Sequence, residues 1–351
     1  MEARALTSQL SDDFSWLEEH SRKQDLSGIS VGGSMLERAM QGSELRLAAA
    51  LVRNCLGPAL DDQSPTPLHI AVVGGAGAGK STVANMLSGA SEAETNPQAG
   101  FTRHPIVFTP SPAALSWTGH LGFLGPLQRS AQECPSSVDA DIYQVRRSPA
   151  DSHSAQVLKD FVVWDCPDMT TWAAAGTGQK IDAGYVTRLL EVAGLSDVLV
   201  YVASDERYND EVPTQFLNLL LRTGKPVVVC ITKMDPANAQ VLVEHFKTDV
   251  MRRLPPGIVA CLPIPFLTPD QLSDLQNQTN EYRIPLVNQV AVLGHNPQVA
   301  RRRTLTGAMK YLTEQQTRLL EVARKDVEAL QQWQILVQNG QVELDQRYRS
   351  E

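Results

Sequence analysis

The stretch "AVVGGAGAGKSTVANML" (residues 71–87) decides the fold. Four glycines fall within residues 74–79, and Lys80, Ser81 and Thr82 follow directly. The spacing matches G-x-x-x-x-G-K-[ST], with the apolar run "HIAVV" before it and the helical "STVANMLSG" after it. Glycine lets the backbone adopt left-handed angles and approach a ligand closely, and a helix N-terminus attracts anions. The pattern therefore predicts a phosphate-binding loop between a strand and a helix.

Particular roles follow for the residues of this loop. Lys80 is expected to bridge the β- and γ-phosphates of a bound nucleotide, and the Ser81 hydroxyl to coordinate Mg²⁺. The predicted nucleotide-binding residues here are Gly75, Ala76, Gly77, Ala78, Gly79, Lys80, Ser81 and Thr82.

Apolar runs alternate with helical patterns from residue 68 onward. The strand-like runs are "LHIAVVG", "DFVVWD", "DVLVYVAS" and "PVVVCITK". Continuous Val/Ile/Leu runs joined by helices are typical of a parallel sheet covered on both faces. We therefore predict a doubly wound, mostly parallel α/β domain over residues 67–295. Its loosely patterned insertion, at about 110–158, is too long for an ordinary connection, and nearby only "IVFT" and "IYQVRR" resemble strands.

Helical segments are predicted on both sides of this domain. In residues 1–66, a helix opens at Ser34 with capping-box spacing and is expected to end at Gly57 and Pro58. In residues 296–351, apolar residues at helical spacing predict one long helix, and packing of this helix on the N-terminal helices is favoured over a partner-binding face. Its stripe comprises Leu305, Met309, Leu312, Leu319, Ala323, Val327 and Leu330. The final "VELDQRYRSE" has no helix-stop signal, which leaves open that the protein is longer.

Composition narrows the class of protein. The 351 residues carry a net charge of −8, with 42% hydrophobic and 20% charged residues, as in a soluble globular protein. The negative charge argues against a general affinity for nucleic acid or anionic lipid. No run is long enough to span a membrane, so we expect a cytoplasmic protein whose membrane contacts, if any, lie in segments outside this chain. The five cysteines lack metal-ligand spacing and suggest reduced thiols.

A second motif, "TKMD" (residues 232–235), ends the strand "KPVVVCI". The Asp235 carboxylate can accept two hydrogen bonds from guanine, whose N1–H and 2-amino group form a donor pair that adenine lacks. Lys233 would lay its aliphatic stem along the base. Thr232, Lys233 and Asp235 are therefore predicted to bind guanine.

These motifs occur in an order that resembles the translation-factor-related GTPases, specifically the Era/TrmE-like and dynamin-like GTP-binding domains. The resemblance covers roughly residues 68–270 and includes "GGAGAGKS", "AGFTRHPI", "VVWDCPD" and "TKMD". It implies a GTP- and GDP-binding switch that hydrolyses GTP with Mg²⁺. It also implies that Thr102 is the switch threonine that contacts Mg²⁺, and that Asp165 holds the Mg²⁺ shell. Lys80, Thr102 and Asp165 are thus the implied catalytic residues, and Ser81, Thr102 and Asp165 the implied metal site.

The chain departs from that family at three points. Asp168 stands where the D-x-x-G motif has glycine, and Met169 stands where many members have a water-orienting glutamine. The fifth guanine motif, aligned with Pro265, Phe266 and Leu267, has no recognisable signature, and proline has no N–H to donate. We therefore expect slow intrinsic hydrolysis.

Two other functional classes remain open. A P-loop ATPase or small-molecule kinase would make "TKMD" incidental. A non-catalytic nucleotide-binding module would act through its helices alone. Self-association through the nucleotide face or the helical extensions is compatible with each class, and the sequence carries no specific nucleic-acid signal.

Overall fold

The computed structural model describes residues 7–17, 35–60, 67–90, 104–110, 128–129, 142–169 and 183–350. Within these ranges eight strands form one sheet in the order β3-β4-β2-β5-β1-β6-β7-β8. Neighbouring strands are parallel except β2 and β5, which are antiparallel. The prediction of a doubly wound, mostly parallel α/β domain is confirmed. The strands are β1 (Leu68–Gly74), β2 (Ile106–Thr109), β3 (Gln128–Arg129), β4 (Ile142–Arg147), β5 (Phe161–Asp165), β6 (Val198–Ser204), β7 (Val227–Met234) and β8 (Ile258–Pro265).

Helices cover both faces of this sheet. They are α1 (residues 7–17), α2 (Met35–Leu51), α3 (Gly57–Leu60), α4 (Lys80–Ser88), α5 (His153–Val157), α6 (Ala183–Leu195), α7 (Glu211–Leu221), α8 (Ala239–His245), α9 (Pro269–Ser273), α10 (Leu275–Gln278), α11 (Asn280–Leu293), α12 (Pro297–Glu314), α13 (Gln316–Leu319) and α14 (Glu321–Ser350). None of the helices in the described ranges is both long and apolar enough to cross a membrane.

The central strands are buried on both faces, which explains their unbroken apolar sequences. Every residue of β1, β5 and β6 is buried. Successive side chains point to opposite faces, so Ala71 and Val73 join the core under α6 and α7, whereas Ile70 and Val72 join the core under α4 and α11. The two cores fix β1, and the loop that follows it, between two layers of helices.

The N-terminal helical segment continues past its predicted end. After α2 the chain makes a π-helical turn, Val52–Leu56, and then enters α3. Gly57 has ordinary helical angles (φ −55°, ψ −54°), and its N–H bonds to the carbonyl oxygen of Val52. The prediction that the helix ends at Gly57 and Pro58 is therefore wrong, because proline is tolerated in the first turn of a helix. The predicted cap at Ser34 lies outside the described residues.

Helix α2 packs closely on α6 of the sheet domain. A Cβ on Gly194 would lie 2.8 Å from the Cβ of Ala50, so the two helices approach as closely as glycine permits. Buried Glu44 of α2 pairs with Arg318 at 2.6 Å and with Arg222 at 3.3 Å, and its burial raises its pKa. The N-terminal extension is therefore attached both to the sheet domain and to α13.

The C-terminal segment is three helices rather than the predicted one, with breaks at Gln315 and Leu320. Of the predicted stripe, Leu319 is buried, but Met309, Val327 and Leu330 are at least half exposed. Helix α12 contacts the turn before β7, where a Cβ on Gly307 would lie 2.2 Å from the carbonyl oxygen of Thr223. The expectation that the whole stripe packs on the N-terminal helices is therefore wrong for its last part.

Buried charged residues bind α12 and α6 to the end of the sheet that lies opposite the phosphate loop. Asp197 is completely buried, accepts hydrogen bonds from the His69 N–H and the Thr304 hydroxyl, and pairs with Arg301 at 3.0 Å. Lys225 is equally buried and donates to the carbonyl oxygens of Ala193 (2.6 Å) and Gly194 (2.7 Å). Burial lowers the pKa of Lys225 to about 8. Arg301 is therefore a structural residue of α12.

Candidate functional site

The loop after β1 has the backbone conformation that its glycines predict. Gly77 and Gly79 take left-handed φ angles of 69° and 87°. A Cβ on Gly77 would meet nothing within 4 Å, so backbone conformation and not space requires glycine there. Gly79 precedes the first turn of α4 and offers no side chain to cap the free amides of that turn. The loop thus presents uncapped amides at a helix N-terminus.

The Lys80 ammonium lies inside this loop and not in solvent. Its Nζ donates to the carbonyl oxygen of Gly75 at 3.0 Å and forms an ion pair with the Asp168 carboxylate. The side chains of Lys80 and Asp168 are 4% and 8% exposed, so water screens the pair little. The carboxylate that replaces the family's glycine therefore points at the lysine of the phosphate loop.

Ser81 and Asp165 form the second polar contact of the site. The Ser81 hydroxyl donates to Asp165 Oδ2 at 2.7 Å. Among the described residues, no group hydrogen-bonds the other, buried oxygen of Asp165, Oδ1. Burial raises the pKa of Asp165 to about 6, against the opposing influence of Lys80 and Ser81. A hydroxyl beside a carboxylate with an unused oxygen is the kind of donor set that Mg²⁺ takes, so these two residues fit a magnesium ion.

Residues 165–169 are held beside the phosphate loop by their backbone. Cys166 N–H bonds to the carbonyl oxygen of Val72, and Met169 N–H to that of Gly74, each at 3.2 Å. The Met169 side chain is buried. Asp168 is thus flanked on both sides by hydrogen bonds to β1.

The "TKMD" motif reaches the phosphate loop through its threonine. Thr232 Oγ1 donates to the carbonyl oxygen of Ala78 at 2.6 Å. Lys233 takes a left-handed φ of 59°, and its side chain is exposed. Asp235 is also exposed and accepts a hydrogen bond from the Ala237 N–H at 2.9 Å. The motif therefore begins at Thr232 beside the phosphate loop and continues to two exposed residues, Lys233 and Asp235, at the C-terminal end of β7.

Comparisons with known proteins agree with this arrangement. Residues 69–233 match the family model described as 50S ribosome-binding GTPase. Residues 69–233 are a P-loop GTPase domain. The chain is 24% identical over 196 residues to GTPase Der of Nitrobacter hamburgensis, a match that covers 56% of this chain and 33% of Der. The chain thus spans about a third of the length of the curated relative it matches.

Solved structures resemble the chain more distantly. A structure of Era in complex with MgGDPNP and a fragment of 16S ribosomal RNA has a TM-score of 0.35 at 18% identity, covering 62% of this chain and 57% of Era. A structure of an oligomerised bacterial dynamin pair has a TM-score of 0.42 at 14% identity, covering 99% of this chain and 53% of that protein. Both TM-scores are too low to carry weight in the assignment.

The GTPase domain brings most of the predicted site residues together. The loop from Gly75 to Thr82, Asp165 and Thr232 lie within one connected set of contacts. Lys233 and Asp235 follow at the exposed edge. Thr102 and the neighbouring Arg103 lie outside the described residues, so the first switch of the GTPase domain remains a prediction.

The segment aligned with the fifth guanine motif, Pro265 to Leu267, lies at the end of β8. Pro265 pairs with Met234 in the sheet, and the Phe266 N–H donates to the carbonyl oxygen of Met234 at 3.0 Å. Neither residue can offer an amide to a base. Leu267 supplies the next N–H, which has no acceptor in the described part of the chain. Of these three residues, Leu267 is therefore the one whose N–H is not used by the sheet.

The loop that follows β6 lies beside the phosphate loop. Ser204, Arg207 and Asp210, from the segment "SDERYND", line a small cavity together with Gly75 and Ala76. The segment caps β6 at the same end of the sheet as the phosphate loop, where ligands of doubly wound folds bind. Arg207 therefore lies beside the phosphate loop, since both line this cavity.

Proposed function

We propose that the chain binds GTP and GDP together with Mg²⁺ and hydrolyses GTP slowly, acting as a molecular switch. The observation that carries the proposal is the contact between Ser81 and Asp165 at 2.7 Å, with the second Asp165 oxygen unused, at the head of a helix whose first-turn amides are uncapped. The magnesium ion would neutralise the negative charge that builds up on the phosphate oxygens, including the leaving oxygen. Ser81 and Asp165, with Thr102 from the first switch, would hold it.

Positioning and positive charge do most of the work of phosphoryl transfer. Lys80, fixed by the Gly75 carbonyl, would stabilise negative charge on the β- and γ-phosphates. The loop amides would orient the phosphate chain. Met169 is apolar and buried, so it cannot orient the attacking water, and this supports slow intrinsic turnover.

Guanine selectivity is assigned to Asp235. One of its oxygens accepts the Ala237 N–H, and the carboxylate retains lone pairs for the N1–H and 2-amino donors of guanine. The Lys233 stem would cover one face of the base. The Leu267 N–H would replace the missing fifth motif as the donor to the guanine O6.

The flanking helices make the proposed switch more than an isolated nucleotide domain. Helix α6 begins after the Asp165–Asp168 segment and ends against α2, where Gly194 meets Ala50. We include in the proposal the coupling of nucleotide state to these helices and self-association through them or through the nucleotide face. The free thiols of Cys55, Cys166, Cys230 and Cys261 support a cytoplasmic location.

A titration of the purified chain tests the proposal. Calorimetry with GTP, GDP and ATP in the presence of Mg²⁺ should give heat with the guanine nucleotides and little with ATP. Phosphate release from GTP should be slow and should be abolished in Lys80→Ala. Lys159→Ala, an exposed lysine beyond the opposite end of β5, is the matched control and should behave as wild type. Preference for ATP would favour the kinase or ATPase class.

One observation favours a non-catalytic module as the second candidate. The ammonium of Lys80, which phosphoryl transfer requires, is already paired with Asp168. A module of this kind would bind nucleotide but release no phosphate. If wild type and Lys80→Ala released phosphate equally, the release would come from a contaminant and this second candidate would lead.

A further inference from the structure

The Lys80 ammonium has three N–H donors, and the protein itself takes two of them. One goes to the carbonyl oxygen of Gly75 at 3.0 Å and one to the Asp168 carboxylate. Both partners lie beside the phosphate loop at the end of β1. A single donor therefore remains for a ligand as long as the Asp168 contact persists.

The Asp168 carboxylate cannot easily move away from Lys80. The residue itself is 6% exposed, and Met169 after it is buried and bonded through its N–H to Gly74. Cys166, two residues before it, is bonded to Val72. Moving the carboxylate away from Lys80 requires a short side chain to rotate within a packed region or one of these backbone bonds to break.

A diphosphate and a triphosphate make different demands on this lysine. The β-phosphate of a nucleoside diphosphate needs one donor, which is available. A triphosphate places a second phosphate at the same ammonium, and its γ-phosphate carries negative charge into the region that Asp168 occupies. Like charges repel strongly where water is excluded, so the γ-phosphate and the Asp168 carboxylate compete for Lys80.

We propose that Asp168 is the residue that sets the nucleotide preference of this site, favouring the guanosine diphosphate over the triphosphate. The inference rests on the proposed function, because it requires that the site bind guanine nucleotides. The carboxylate acts as an internal substitute for the γ-phosphate. GTP binds when it displaces Asp168 from Lys80, so arrival of the γ-phosphate is coupled to movement of the segment after Asp165.

The test compares the affinities for GDP and for an imido analogue of GTP, measured by calorimetry with Mg²⁺. The variants are Asp168→Asn, which keeps the shape and removes the charge, and Asp168→Gly, which restores the family's residue. Asp160→Asn is the matched control, since it removes an exposed carboxylate at the other end of β5. Wild type should bind GDP at least about ten-fold more tightly than the analogue, a factor within the range of one charged hydrogen bond.

In Asp168→Asn and Asp168→Gly the preference should shrink by roughly ten-fold, through tighter binding of the analogue. Asp160→Asn should keep the wild-type ratio. An unchanged ratio in both Asp168 variants would overturn the inference, as would equal gains for both nucleotides. A fall in the hydrolysis rate with both affinities unchanged would also overturn it and would make Asp168 a water-orienting residue.

Failure of this inference differs from failure of the proposed function. If wild type binds GDP and the analogue equally, the inference fails while guanine binding stands. If no guanine nucleotide binds wild type or either variant, the proposed function fails and the inference with it. The wild-type ratio requires no mutation, so a ratio near one overturns the inference even if the Asp168 variants do not fold.

Discussion

The Thr232 hydroxyl donates to the Ala78 carbonyl oxygen at 2.6 Å, across 154 residues of chain. The contact joins the end of β7 to the phosphate loop. Gly79 lies directly against the same side chain, since a Cβ on this glycine would lie 3.7 Å from Thr232 Oγ1. The segment expected to bind the base and the segment expected to bind the phosphates are therefore connected by one side chain.

Thr232→Val removes that donor while keeping the shape of the side chain. The Ala78 carbonyl would lose its partner in a buried position, so we expect a loss of about 1–3 kcal/mol in the free energy of unfolding. Binding of GDP should also weaken, because the loop is no longer held to β7. Denaturant titration and calorimetry measure the two effects. Thr232→Ser retains the hydroxyl and should lose much less; equal losses in both variants would contradict the role of the hydrogen bond.

Asp235→Asn should change which base the site accepts. Asparagine replaces one acceptor oxygen with an amide donor, so one bond to guanine is lost and the other is no longer charge-assisted; GTP should bind about 100-fold more weakly. Xanthine carries a carbonyl where guanine has its 2-amino group, so the variant should gain affinity for xanthosine triphosphate. Asparagine also caps helices well, so stability should not change. Unchanged GTP affinity would mean that another residue selects the base.

Gly307→Ala should release α12 from the sheet domain. The new Cβ would lie 2.2 Å from the Thr223 carbonyl oxygen, which is backbone and cannot move aside easily. Such overpacking costs about 1–3 kcal/mol of unfolding free energy. Gly340→Ala in α14 is the matched control, because its Cβ meets nothing within 4 Å, and it should stabilise its helix by about 0.5–1 kcal/mol. Denaturant unfolding of both variants checks the contrast.

Lys225 gives the fold a defined pH dependence. Because burial lowers its pKa from 10.5 to about 8, the unfolded chain binds more protons between these values, and the contribution of Lys225 to stability rises as pH rises through this window. A neutral lysine still has two N–H groups for the Ala193 and Gly194 carbonyls. The stability difference between wild type and Lys225→Met should therefore increase between pH 8 and 10.5, by about 3 kcal/mol at most.

Unfolding at pH 7.5 and at pH 10 measures that difference, and groups that titrate equally in both proteins cancel from it. Exposed Lys159→Met should show no such trend. A difference that stays flat across the window would mean that Lys225 is charged in the folded protein at every pH tested.

The sheet domain could be predicted because its signals are local. Unbroken apolar runs determined β1, β5, β6 and β7, and even the short β2 and β4 coincide with "IVFT" and "IYQVRR". The phosphate loop was equally predictable, since its spacing describes one continuous stretch of chain. His69 of β1 and Trp164 of β5 are completely buried, as their places within these apolar runs require.

Features that depend on contacts between residues distant along the chain could not be predicted from the sequence. Nothing near Asp168 indicates that its carboxylate faces Lys80, 88 residues earlier. Leu267 became the candidate amide only from the register between β7 and β8. The division of the C-terminal segment at Gln315 and Leu320 also escaped prediction, because the apolar spacing continues through both breaks while the burial of the residues does not.

Helix α6 (Ala183–Leu195) lies between β5 and β6 in the chain, and its last turn is pressed against Ala50 of α2. Hydrogen-bonded helices resist compression along their axis, and the Lys225 ammonium holds the final carbonyls in place. If nucleotide binding displaces the first turn of α6, as the proposed coupling requires, the displacement would be carried along the helix axis to its contact with Ala50 of α2.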